Sequence, residues 1–192
     1  ALAFTTMVGQ DSHFINFLLP SSNIYTDKKD VIGCIQGSSV DKTELGVRFA
    51  SRSADYAEFI PKLDRSEKFN KGDIVGIYGG QVSRKTANAD QIMVISSGPI
   101  IIGNWQGNID ESGFAAVAFL GQVPVKVIGK VKAGDYIIPS GKNDGIGQAI
   151  TTDQLTVNNI DSVLGIAWET SPDESIKEIK ALIGFPSAVA SL

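Results

Sequence analysis

The sequence predicts a mainly β chain, a strand meander followed by a compact β-barrel or sandwich domain. Apolar runs are short and end on turn residues. Twenty glycines punctuate 192 residues, more than an average chain carries, which points to many tight turns. No stretch keeps the apolar period of 3.6 residues that an amphipathic helix needs.

In the first part, residues 1–50, His13–Leu19, Val31–Gln36 and Leu45–Ala50 read as strands; Leu45, Val47 and Phe49 alternate in the last. Residues 1–10 are too short a piece to place. Three short strands alone are marginally stable, so this meander calls for cover from the following domain or from other copies of the chain. From residue 51 to residue 192 turns recur regularly. Ile74–Tyr78 and Gln81–Ser83 flank Gly79-Gly80, a hairpin signal. Ile92–Ile95, Ile100–Ile102, Phe114–Leu120, Val123–Ile128, Tyr136–Ile138 and Val163–Trp168 read as strands, the fourth and third of these parted by Gly121-Gln122. Glu178–Ile183 is a last strand or a short helix, and residues 103–113 are a polar loop. Lys71-Gly72-Asp73-Ile74-Val75 echoes Ala133-Gly134-Asp135-Tyr136-Ile137. Each copy leads into a strand and later an apolar strand, as two halves of one barrel would. Common Gly-Asp turn chemistry explains the echo as well.

Hydrophobic residues make up 43% and charged residues 20%, an ordinary globular balance, and the net charge of −4 is not that of a nucleic-acid binder. No run approaches the roughly 20 apolar residues of a membrane span, so membrane insertion is not expected. With His13 the single histidine and Cys34 the single cysteine, Ser-His-Asp and Cys-His arrangements and Cys-based metal sites are excluded within one chain. Cys34, among Val31, Ile32 and Ile35, reads as buried, and His13 as a strand surface residue. Gly141–Gly147 lacks the phosphate-loop spacing and reads as a hairpin turn. No metal and no cofactor are expected.

The chemistry concentrates in Ser51–Pro61, which carries Asp55 and Glu58. Residues three apart share a face on one helical turn and take opposite faces on a strand. A turn or short helix, ended by Pro61, would therefore bring the two carboxylates together. Such a pair cannot ionise freely, and one pKa rises, giving one acid and one base. Asp55 also sets its carboxyl beside the Ala54–Asp55 peptide bond, with no binding step needed. Arg48 and Arg52 lie close in sequence for an oxyanion. The competing reading is an Asp55 turn cap with a solvated Glu58. A second candidate is Trp105 with Asn104, an aromatic ring beside amides, which suits a sugar; a Trp anchoring its loop to the core is the alternative. Trp168, inside an apolar run, is assigned to the core.

Ser53-Ala54-Asp55-Tyr56-Ala57-Glu58-Phe59 resembles the (S/G)-x-D-Y-A-E-(Y/F/W) signature of the C-terminal domains of phage tail spikes and preneck appendages. This is the self-cleaving, glutamic-peptidase G2-like or intramolecular-chaperone group, with its bacterial relatives. Lys71–Gly76, Val94-Ile95-Ser96 with Pro99, Gly103-Asn104 and Leu120–Val127 with Gly129 and Gly134-Asp135 are similar as well. The resemblance implies a β-rich homotrimer at the end of a virion or extracellular fibre, which helps trimers assemble. Some such domains cut themselves before the signature Asp, which here is the Ala54–Asp55 bond with Asp55 and Glu58 as the acids. Ala54 stands where the self-cleaving appendage has Ser. Surface glycans are a further expected partner, through Asn104 and Trp105.

Overall fold

The structure is a computed structural model that describes residues 2–4, 13–18, 31–39, 45–105 and 112–184. It is mainly β, and no α-helix occurs among these residues. The chain divides into two compact units, residues 1–53 and 54–192.

The first unit is one antiparallel sheet in the order β1 (Leu2–Phe4), β2 (His13–Leu18), β3 (Val31–Ser39) and β4 (Leu45–Ser51). The three expected strands are present, and Leu2–Phe4 adds a fourth by pairing with β2. The β3–β4 ladder runs from Gly33↔Ser51 to Ser39↔Leu45 without a break. Cys34 is buried, as expected, whereas Phe49 is 71% exposed and Ile32 39%. The His13 side chain lies outside the described residues.

The second unit contains β5 (Ala54–Pro61), β6 (Ile74–Tyr78), β7 (Gln81–Ser83), β8 (Gln91–Ile95), β9 (Ile101–Gly103), β10 (Phe114–Ile128), β11 (Tyr136–Pro139), β12 (Gly147–Ile150), β13 (Gly165–Ala167) and β14 (Lys177–Ile183). β10, β12, β11, β13 and β14 close into a barrel, the last joint being the parallel β10–β12 pairing. This barrel is the second ring; earlier in the chain a first ring runs β5, β7, β6, β8, β10 and back to β5. It closes through the parallel Lys62↔Val82 bridge and the Leu63 N–H to Val82 carbonyl bond of 2.9 Å. β9 lies alongside β5.

The two rings repeat one pattern. In each, a Gly-Asp turn starts the central strand, a hairpin supplies one neighbour, and a later apolar strand supplies the other. The matching extends to single hydrogen bonds. The carboxylates of Asp73 and Asp135 each accept the N–H three residues back, from Asn70 and Lys132, both at 2.8 Å. Gly72 donates to the Ile95 carbonyl at 3.0 Å and Gly134 to that of Ala167 at 2.8 Å. The carbonyls of Asp73 and Asp135 take the return bonds at 2.9 and 2.8 Å. Ser96 and Trp168 then each donate to the next strand, at 2.9 and 2.8 Å. The echoed turns therefore head two complete rings that share β10, where halves of a single barrel were expected.

β10 is one strand of 15 residues, not the two expected. A β-bulge between Ala118 and Leu120 and a Gly121 φ of 113° bend it without ending it. On its second half Val123, Val125 and Val127 are 0% exposed and meet Ile137, Ile179, Ala181 and Ile183 in the barrel core. On its first half Ala115 and Val117 meet Val75, Val82 and Ile95 in a smaller core. Full burial of such a side chain contributes about 1.5–3 kcal/mol.

Two further expectations change, and one strand is added. Ala54–Pro61 is a strand, not a turn, because it lies along β10 and β9 and its backbone bonds go there. Gly147–Ile150 is a strand that local composition does not announce. Trp168 is 50% exposed; the late strand is short, Ala167 takes its inward position, and the next residue is outside the core.

Asp73 is 2% exposed and holds Arg84 at 3.1 Å and Lys126 at 2.7 Å. It thereby ties the first-ring turn to the end of β7 and to β10, whereas its twin Asp135 is less buried and makes only the turn bond among the contacts described. Asp73→Ala is expected to cost on the order of 3–5 kcal/mol, since it leaves two cations without their counter-charge. Asp135→Ala is expected to cost about 1 kcal/mol. Urea denaturation midpoints measure both.

Candidate functional site

Strand geometry decides what the acid pair can do. On β5, Asp55 and Ala57 are buried on one face, and Asp55 is 2% exposed. Glu58, an odd number of positions away, takes the opposite face. The expected convergence of the two carboxylates therefore does not occur. Asn104 Nδ2 donates to Glu58 Oε2 at 3.0 Å. Gly103 makes that possible, for a Cβ there would lie 3.2 Å from Glu58 Cγ. So the structure joins one candidate acid to one candidate sugar-binding residue. Glu58 also borders a groove of about 330 Å³ with Ile60, Gln91, Met93, Val117 and Phe119. Trp105 is 66% exposed and does not anchor its loop to the core. Arg48 and Arg52 belong to the first unit.

Asp55 has a different partner, one that the sequence did not single out. Ser96 Oγ–H, itself on a residue 5% exposed, donates to Asp55 Oδ2 at 2.6 Å. Gly98 N–H donates to Ser96 Oγ at 3.2 Å, and Ile100 N–H to the Asp55 carbonyl at 2.8 Å. The Ser96–Ile100 segment thus wraps residue 55. Burial pushes the Asp55 carboxyl above the ordinary carboxylate range, outweighing the Ser96 hydrogen bond and a backbone bond that pull the other way. Ser96 stands in the sequence only as part of the resembling segment Val94-Ile95-Ser96, with no role attached; its partner lies too far back in the chain for local pattern to reveal.

The repeat supplies an internal control. Gly121 packs so closely that a Cβ would fall 2.2 Å from the Ala54 carbonyl oxygen and 3.0 Å from Asp55 Cα. At Gly184 the same test gives 2.3 Å to the Phe119 carbonyl oxygen and 2.9 Å to Leu120 Cα. Ala54–Asp55 and Phe119–Leu120 are therefore equivalent peptides, and both glycines have positive φ, 113° and 85°. The twin of Asp55 is Leu120, and the twin of Ser96, by its bond to the next strand, is Trp168. The second ring closes without an acid or a hydroxyl at these positions, and a buried acid with a raised pKa marks a candidate site.

Among the described residues, no group of three or more His, Cys, Asp or Glu side chains is placed to hold a metal ion. No helix among them is long and apolar enough to cross a membrane. No protein-family model, curated protein or solved structure matches the chain. The likeness to the self-cleaving appendage domains rests on the motif residues quoted above.

Because the folded pKa of Asp55 lies above its unfolded value of 3.8, its neutral form stabilises the fold fully at pH below that value. That contribution fades as the pH climbs through the raised folded pKa. Asp55→Asn keeps the acceptor for Ser96 and has no proton to lose. Its stability relative to the parent should rise between about pH 4 and pH 8, read from thermal melts across that range; parallel curves would disprove a raised pKa.

Proposed function

We propose that this chain is a structural and assembly domain that ends an extracellular or virion fibre and forms a homotrimer. The observation that supports it most is the first unit. Among the described residues its strands make one layer, with Phe49 71% and Ile32 39% exposed. A single sheet with exposed large apolar side chains gains stability when another apolar surface covers it, and closed symmetry supplies that cover from sister copies. Light scattering of the full chain should give three times the mass of one chain. Phe49→Asp should lower it towards one, with the second unit still folded; a parent that is monomeric at micromolar concentration would refute the proposal.

A second reading is a self-cleaving acid peptidase that cuts at Ala54–Asp55. The buried Asp55, whose carboxyl pKa is pushed upward by burial, favours it, and so does the position of that bond beside the boundary of the two units. In this reading Asp55 adjoins the bond, while Glu58, the other expected acid, lies on the opposite face of the strand. A third reading, contact with surface glycans at Asn104 and Trp105, draws on the exposed Trp105 ring beside the Glu58–Asn104 pair. Trp105→Ala should remove any signal on a glycan array, and an array blank for the parent ends this reading.

A further inference from the structure

We propose that Ser96 is the positioning residue of a self-cutting Asp55–Ser96 pair. The inference rests on the self-cleavage reading above and names the residue that organises it. Ser96 engages Oδ2 of Asp55 at 2.6 Å, which assigns the reaction to the other oxygen, Oδ1. The serine is itself fixed, through the Gly98 N–H on its Oγ and its own N–H on the Ala116 carbonyl at 2.9 Å. A carboxyl held on one oxygen by a rigid donor is restricted in side-chain rotation, which lowers the entropy lost when its other oxygen meets the adjoining peptide carbon.

The chemistry closes on atoms already present, with water as the only co-reactant. Oδ1 bonds to the Ala54 carbonyl carbon through a six-membered ring. The Ala54–Asp55 C–N bond breaks, and the carboxyl proton passes to the departing nitrogen, which becomes the α-amine of Asp55. Water then opens the resulting anhydride between Ala54 and the Asp55 side chain. That step restores the Asp55 carboxyl and leaves Ala54 with a carboxyl terminus. The first step consumes a neutral carboxyl, the form that burial favours.

The second ring has no such pair at the equivalent positions, where Trp168 is half exposed. It sets Phe119–Leu120 against Gly184 as Ala54–Asp55 is set against Gly121. It does so with Leu120 and Trp168 in place of Asp55 and Ser96.

The test follows the intact mass of the purified full chain over days. The parent should give two fragments, the larger starting at Asp55, and no cut at Phe119–Leu120. Asp55→Asn should stay whole, Ser96→Ala should cut at least tenfold more slowly, and Ser96→Thr should restore most of the rate. Thermal melts establish that each variant is folded. If Ser96→Ala does not fold, Ser96→Thr and Ser96→Cys carry the test: the hydroxyl variant should cut and the thiol variant lag. A purely structural serine would lower the melting temperature of Ser96→Ala and leave the cutting rate of folded chain unchanged, which overturns the assignment of Ser96 alone. A cut at Phe119–Leu120 also overturns it. A parent chain that stays whole refutes self-cleavage, and the pair with it.

Discussion

Every closed feature of the second unit depends on β10 serving two rings at once. Its first half finishes the ring that β5 begins, and its second half begins the ring that β14 finishes. A strand with two such duties must change direction without losing its ladder. The bulge beside Phe119 and the positive φ of Gly121 supply that change. Ala115 and Val117 line the smaller apolar core, and Ala118, Val123, Val125 and Val127 line the larger one, which also takes in Ile74, Ile92 and Val94. Lys126, on the second stretch, reaches back to Asp73 at the head of the first ring, so charge reinforces the joint that the backbone makes.

Comparison of the two rings separates what the frame demands from what it only tolerates. Both Gly-Asp turns bond back on themselves in one way, so the aspartate there is turn chemistry. The paired cations belong to Asp73 alone, where the turn is buried against a neighbouring strand. Leu120 and Trp168 stand at the equivalent backbone positions of the other ring, but there Trp168 is half exposed, whereas Asp55 and Ser96 are buried together. A buried acid needs a hydrogen-bond partner, and Ser96 supplies one to Asp55 at the start of β5.

Much of the fold was legible from residues 71–95 and 133–138, where turn chemistry and apolar runs state the same answer. The hairpin at Gly79-Gly80 and the strands after each Gly-Asp pair are local facts. What escaped was set by distant pairing. Asp55–Glu58 reads as a turn because two acids and a proline follow closely, yet β10 and β9 recruit those residues into a ladder. Alternation was visible in Asp55, Tyr56, Ala57 and Glu58 only to a reader willing to point an acid inward. Trp168 was misplaced because an apolar run does not say which side faces the core, and Ala167 takes that side. Ser96 was missed because its meaning comes from a residue on another strand. The exposed Trp105 and its neighbour Asn104 were visible as a pair, but the attachment of Asn104 to Glu58 was not.

The boundary ahead of β5 has a mechanical meaning. Severing the backbone at Ala54–Asp55 would leave both hoops of the second unit intact and give up only the outermost rung of one ladder, Ala54↔Gln122. Severing it within β10 would break the one strand that both hoops share. The polypeptide therefore has a seam and a keystone: tension or hydrolysis can part it at the first with little damage, whereas the second must survive for either half to keep its shape.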